Sequence, residues 1–157
     1  MKITIYTDGA ARGNPGPGGY GVVLLSGKHR KELSEGYRYT TNNRMELLAV
    51  IVGLETVKVK NADITVYSDS SYVVDAVEKK WVFDWERKQF KKKKNPDLWI
   101  RFLKIYRQHS VTLKWVKGHS NVPENERCDS LAVEASQKQN LLKDTVYENE
   151  NNENSLF

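Results

Sequence analysis

The feature that most constrains this chain is its opening stretch, KITIYTDGAARGNPGPGGYG, residues 2–21. Ile3, Thr4, Ile5, Tyr6 and Thr7 form a β-branched, apolar run whose alternation predicts a strand. The run ends in an acid, Asp8, and breaks at once into glycines and prolines. A carboxylate where a strand stops is held rigidly while it faces a cleft. Asp before Gly is also good turn chemistry, and taken alone the turn is the better explanation of Asp8. The rest of the chain changes that balance.

Residues 19–25 and 30–39 read as two further strands, joined through Ser26, Gly27 and Lys28 as an antiparallel hairpin. Thr41, Asn42 and Asn43 supply helix-capping chemistry ahead of RMELLAVIVGLETV. That helix is apolar almost all round from Met45 to Leu54, so it is expected to lie buried against the sheet. DITVYS, residues 63–68, predicts a fourth strand running into Asp69, and residues 70–78 predict a helix. Residues 81–94 read as a short helix with a basic loop, and Pro96 opens another helix to about Gln108. VTLKWV, residues 111–116, alternates like a fifth strand. Pro123 begins a last helix carrying Cys128, Leu131, Ala132 and Ala135 at helical spacing. From Asp144 on, acids without bases and few apolar residues suggest a loose tail, so residues 143–157 are set apart from a catalytic domain spanning 1–142. Strands that alternate with helices after an opening hairpin imply an α/β domain with a mixed sheet.

A length of 157 residues fits one domain with its own core. Cys128 is the only cysteine, which excludes an intrachain disulfide and a cysteine-built zinc site. No signal peptide and no apolar run near the roughly 18 residues of a membrane span is visible, so a cytoplasmic protein without membrane contact is expected. The formal charge of +5 is concentrated: residues 79–94 hold eight lysines and arginines against two acids. One basic patch of this kind suits an acidic partner.

Four acids occupy unusual positions. Asp8 and Asp69 each end an apolar strand, Glu46 is the only acid early in the buried helix, and Asp129 lies in the first turns of the last helix. Each has a structural alternative: Asn43 and Glu46 have capping-box spacing, Asp69 fits a helix cap, and Asp129 fits a solvated helix face. Jointly these alternatives are weaker. Ligands gather at strand ends in open α/β sheets, and acids brought together there repel unless a cation lies between them. Oxygen ligands alone suit Mg²⁺ or Mn²⁺, and four carboxylates can hold two such ions roughly 4 Å apart for phosphoryl displacement.

The blocks TDGAARGNPGPGGYG, TTNNRMEL, SDS and WVKGHSNVPENERCD closely resemble bacterial type 1 ribonuclease H, in order and spacing, over about residues 3–135. The resemblance implies a ribonuclease H-like fold with a five-stranded mixed sheet in order 3-2-1-4-5 and helices on both faces. It also implies endonucleolytic cutting of the RNA strand of an RNA–DNA hybrid, leaving 5′-phosphate and 3′-hydroxyl ends. By position, Asp8, Glu46, Asp69 and Asp129 are the metal-binding carboxylates, for two Mg²⁺ ions with Mn²⁺ as an alternative. His119 matches a mobile histidine that assists proton transfer or product release. Asn14, Asn43 and Glu46 resemble contacts to the minor groove and the 2′-hydroxyl, the group that distinguishes RNA from DNA. Thr41 and Arg44 match phosphate or positioning residues. Residues 79–94 resemble the family's basic handle, where Trp81, Trp85, Lys88, Lys91 and Lys92 would meet the DNA strand by stacking and phosphate neutralisation; helix packing is the alternative for the two tryptophans.

Three departures stand out. Ser71 replaces a frequent glutamine, which makes a substrate contact there shorter or water-mediated. Ala11 replaces a frequent cysteine, and the handle is slightly short. No preceding hybrid-binding module, no protein partner and a monomer are expected. The alternatives from the residues are a non-catalytic hybrid-binding protein and a nuclease of related fold acting on other nucleic acids.

Overall fold

The computed structural model describes residues 1–118 and 121–153. Five strands, β1 (Lys2–Ala11), β2 (Gly16–Ser26), β3 (His29–Thr40), β4 (Asp63–Ser68) and β5 (Ser110–Trp115), form one sheet in the order β3-β2-β1-β4-β5. β1–β2 and β2–β3 pair antiparallel, whereas β1–β4 and β4–β5 pair parallel. The hairpin turns at Gly27, whose φ of +57° suits glycine.

Alternation along β1 and β2 sends side chains to two faces. Ile3, Ile5, Val22 and Leu24 join the main core with α1 (Asn42–Thr56), α2 (Ser71–Glu78) and α4 (Pro96–Tyr106). Tyr6, Val23 and Leu25 face the other way, onto Cys128 and Leu131 of α5 (Pro123–Ser136). Helices therefore cover both faces, as the sequence implies. At Gly21 a Cβ would collide with the Cys128 carbonyl, so glycine in the GYG step is what lets α5 seat on β2.

α1 is buried along most of its length because the sheet, α2 and α4 surround it. Thr41 caps it, its Oγ1 accepting from the Arg44 N–H at 3.2 Å. α3 (Trp81–Arg87) and the turns after it make the handle. Its corners use left-handed backbone at Lys80, Gln89, Phe90, Lys92 and Asn95. The handle is seated by aromatic contacts: Trp85 meets Trp99 edge-on at 5.7 Å, Phe83 meets Tyr106 at 6.0 Å, and Phe90 is buried.

The tail departs from expectation. Residues Thr145–Glu153 form a helix, α6, which packs beside β3. Asp144, only 8% exposed, accepts from Thr40 Oγ1 and from Arg44, while Glu148 pairs with Arg38 and Tyr147 lies against Tyr39. Composition misleads here because the helix is held by polar pairing with the body of the protein and buries few apolar residues of its own. Among the described residues no helix is long and apolar enough to cross a membrane.

Candidate active site

β1 pairs with β4 only as far as Tyr6 and Tyr67, whereas its pairing with β2 continues to Ala11 and Gly18. Asp8 therefore does not end β1. It sits where β1 and β4 part, because the glycine-rich start of β2 keeps the outer ladder going. Asp69 follows the end of β4 across that gap, and Trp115 Nε1 donates to its backbone oxygen at 3.1 Å. Gly118 leaves room for the Asp69 carboxylate; a Cβ there would stand 2.9 Å from Asp69 Oδ2.

α1 crosses directly over Gly9, and a Cβ at Gly9 would overlap the backbone of Met45 and Glu46. That approach lets the Gly9 N–H donate to both Asp8 Oδ1, at 2.9 Å, and Glu46 Oε1. The capping-box alternative for Glu46 fails, since Thr41 is the cap and Glu46 reaches across to β1. Asp69 is likewise not a cap: Ser70 caps α2, accepting from the Val73 N–H. One oxygen from each of Asp8, Glu46 and Asp69 lies within 4.8 Å of the others. Asp129, on α5, is half-buried and lines the same cleft, facing the other acids and not an open helix face.

Electrostatics follow from this crowding. Burial pushes the Asp8 carboxyl up to about 7; the hydrogen bond with Glu46 opposes the rise, and the charges of Asp69 and Asp129 add to it. Burial, then the charges of Asp8 and Asp69, push Glu46 well above the usual carboxylate range. An all-oxygen donor set in which Asp8 and Glu46 resist ionising fits a hard divalent cation. Asp8, Glu46, Asp69 and Asp129 are the residues that would hold it.

The remaining expectations divide. Asn43 is exposed and Ser71 is exposed on the cleft wall, so both are open to a ligand. Asn14 is exposed in a loop that reaches α1, its Oδ1 accepting from the Asn42 N–H at 2.9 Å. For Arg44 the phosphate half of the expectation does not fit the structure, while the positioning half does. It is 2% exposed and its guanidinium is taken up by Asp97 on one side and Asp144 on the other, so it cannot meet phosphate. Burial would lower its pKa, but the two carboxylates reverse the effect and push it up. Thr41 is also occupied, as the α1 cap. Trp81 is 45% exposed, with the Lys79 ammonium 5.2 Å from its ring centre, whereas Trp85 is half-buried on Trp99; the first offers the larger stacking surface. Phe83 and Phe90 face inward as well, so most handle aromatics serve packing. Lys88, Lys91 and Lys92 are exposed. A trough of about 370 Å³ joins Asn43 to Trp81, Trp85 and Lys92. His119 lies outside the described residues.

Sequence reasoning missed Asn42, whose side chain ties the α1 start to Ala11, and Tyr72, whose hydroxyl accepts from Asn95 and Trp99 at the handle's base. Neither carries a pattern distinguishable from ordinary capping or core packing. It also missed Trp115, although its place at the end of β5 beside the Gly118 loop was a usable signal.

The RNase H family model matches residues 1–137. The chain belongs to the RNase H family. A ribonuclease H of Rippkaea orientalis is 56% identical over 153 residues, covering 94% of this chain and 93% of the relative. One of Desulforamulus reducens is 58% identical over 148 residues, covering 91% and 92%. Among solved structures, LC9-RNase H1, described as a type 1 RNase H with the type 2 active-site motif, matches with a TM-score of 0.79 at 30% identity, over 88% of this chain and 74% of that one. LC11-RNase H1 in complex with an RNA/DNA hybrid matches with a TM-score of 0.64 at 31% identity, over 85% and 95%. The sheet order and helix placement implied by the family resemblance agree with the observed fold.

Proposed function

We propose that this chain is an endonuclease that hydrolyses the RNA strand of RNA–DNA hybrids, giving 5′-phosphate and 3′-hydroxyl ends, with two Mg²⁺ ions, or Mn²⁺ in their place. The observation that carries the reading is the meeting of Asp8, Glu46 and Asp69 from three elements within 4.8 Å, beside a cleft that Asp129 also lines. Divalent cations there supply the acidity that makes water nucleophilic and the counter-charge for a departing 3′ oxygen.

The chain's own groups do the rest. The shared Gly9 N–H fixes the Asp8 and Glu46 carboxylates before any substrate arrives. Asn43 and Ser71 along the cleft, and the exposed Asn14 in the loop beside the start of α1, offer neutral polar groups for 2′-hydroxyls and the minor groove. The handle, residues 79–94, offers Trp81 for stacking and Lys88, Lys91 and Lys92 for the phosphates of the DNA strand. His119 is assigned to proton transfer or product release by its motif. The reading includes a monomeric, cytoplasmic protein whose catalytic domain is residues 1–142, with α6 as its outer brace.

The test is cleavage of an end-labelled RNA–DNA hybrid with Mg²⁺ beside matched RNA–RNA and DNA–DNA duplexes. Cutting confined to the RNA of the hybrid is expected, lost in Asp8→Asn and Asp69→Asn while hybrid binding remains. Tight binding with no cutting in Mg²⁺ or Mn²⁺ would reduce the protein to a hybrid-binding module.

A further inference from the structure

We infer that Asn125 is a further member of the ion site, a neutral carboxamide facing the cation held between Asp8, Asp69 and Asp129; the inference rests on the function proposed above. Asn125 lies on α5 one turn before Asp129, so the two side chains leave the same face of the helix. With Thr7, Asp8, Asp69, Gly118 and Asp129 it lines a small recess at the foot of the cleft. Its Nδ2 and Oδ1 are both shut off from solvent, and neither has a hydrogen-bond partner among the described residues. No other buried side-chain nitrogen or oxygen among those residues is left in this way. A protein that satisfies every other buried polar side chain among its described residues and leaves both ends of one amide unpaired has a reason located at that amide.

The charged groups of the recess are the carboxylates of Asp8, Asp69, Glu126 and Asp129, and the Thr7 hydroxyl donates to the Tyr67 carbonyl, so acceptors predominate around Asn125, yet its amide engages none of them. What enters the recess must therefore answer the carboxamide and the carboxylates together. A hard divalent cation with its water does so: an amide oxygen is an ordinary ligand for Mg²⁺ or Mn²⁺, directly or through a bound water. A neutral donor also adds a ligand where further negative charge would only increase repulsion. Asn125 holds no proton for the reaction; its part is to fix how tightly and where the ion sits.

The test is calorimetric titration of the free protein with Mn²⁺, together with melting temperatures in EDTA and in Mn²⁺, for wild type, Asn125→Ala and Asn125→Asp. Asn125→Ala is expected to bind Mn²⁺ about 10-fold more weakly, the usual scale for removing such a partner. Its melting temperature in EDTA stays at or above wild type, while its gain on adding Mn²⁺ shrinks. Asn125→Asp is expected to melt lower in EDTA and to gain more from Mn²⁺ than wild type. Wild-type Mn²⁺ affinity in Asn125→Ala, with an unchanged Mn²⁺-induced shift in both variants, overturns the inference and leaves the hydrolase intact. Failure of the wild-type protein itself to bind Mn²⁺ or cut hybrid overturns both.

Discussion

Gly9 gives one backbone N–H to two carboxylates, and only a residue without a Cβ lets α1 come near enough for that arrangement. Gly9→Ala is expected to push α1 off β1, lowering the melting temperature and hybrid cleavage together, with cleavage falling about 100-fold for a displacement near 1 Å. Asp8 makes a second prediction. Its carboxyl lies at about 7 in the fold and near ~3.9 in an unfolded chain. Between those values the folded state holds a proton that the unfolded state has lost, so stability falls as pH rises through the window. Glu46 shifts in the same direction and deepens the fall. In EDTA the melting temperature should therefore drop from pH 5 to pH 8, less steeply in Asp8→Asn, with Mg²⁺ restoring the wild type at pH 8. Parallel pH profiles for the two proteins would mean that burial and the neighbouring charges do not hold a proton on Asp8.

Among the elements, α6 and the residue before it matter more than their composition suggests. Asp144 and Asp97 grip Arg44 from two sides, and Arg44 lies within the first turn of the helix that carries Glu46. Asp144→Ala is expected to cost about 2 kcal/mol in urea denaturation, toward the low end for a broken buried pair because Asp97 still holds the guanidinium. Hybrid affinity should change little, since Arg44 is closed to solvent; a large rise in KM with unchanged stability would restore Arg44 to the substrate surface. Here the limits of sequence are plain. Arg44 beside Asn43 and Glu46 looks like part of one functional block, and nothing in the block reveals a carboxylate 100 positions away. The same holds for Trp85, whose partner Trp99 sits on another helix. Asp8, Asp69 and Glu46 were legible because a carboxylate that closes an apolar run or lies inside an apolar helix violates the local pattern, whereas Asp129 was legible only through the motif. Residues that obey the pattern, such as Asn42 as an ordinary capping neighbour, hide their tertiary role.

For the molecule as a whole, the charge is divided: the carboxylates crowd the centre of the cleft, and the lysines stand out on the handle. Binding should then depend on salt through the handle. Lys91→Ala with Lys92→Ala is expected to lower the slope of log affinity against log salt by about 2 and to raise KM while leaving kcat nearly unchanged. Fluorescence anisotropy on a hybrid at several salt concentrations measures it; an unchanged slope would move the phosphate contacts elsewhere. The individual strands and helices were readable from alternation and capping signals along each segment, whereas strand order and the two-faced helix cover came only through the resemblance of the motif blocks. The brace between the two ends of the chain was readable from neither.

That brace also sets an order during synthesis. All four carboxylates have been made once residue 129 is joined, yet Arg44, held by Asp97 and Asn95, lacks its second carboxylate until residue 144 follows. The acids of the cleft thus precede, along the chain, the second half of the lock on α1, which closes only when Asp144 reaches back to Arg44.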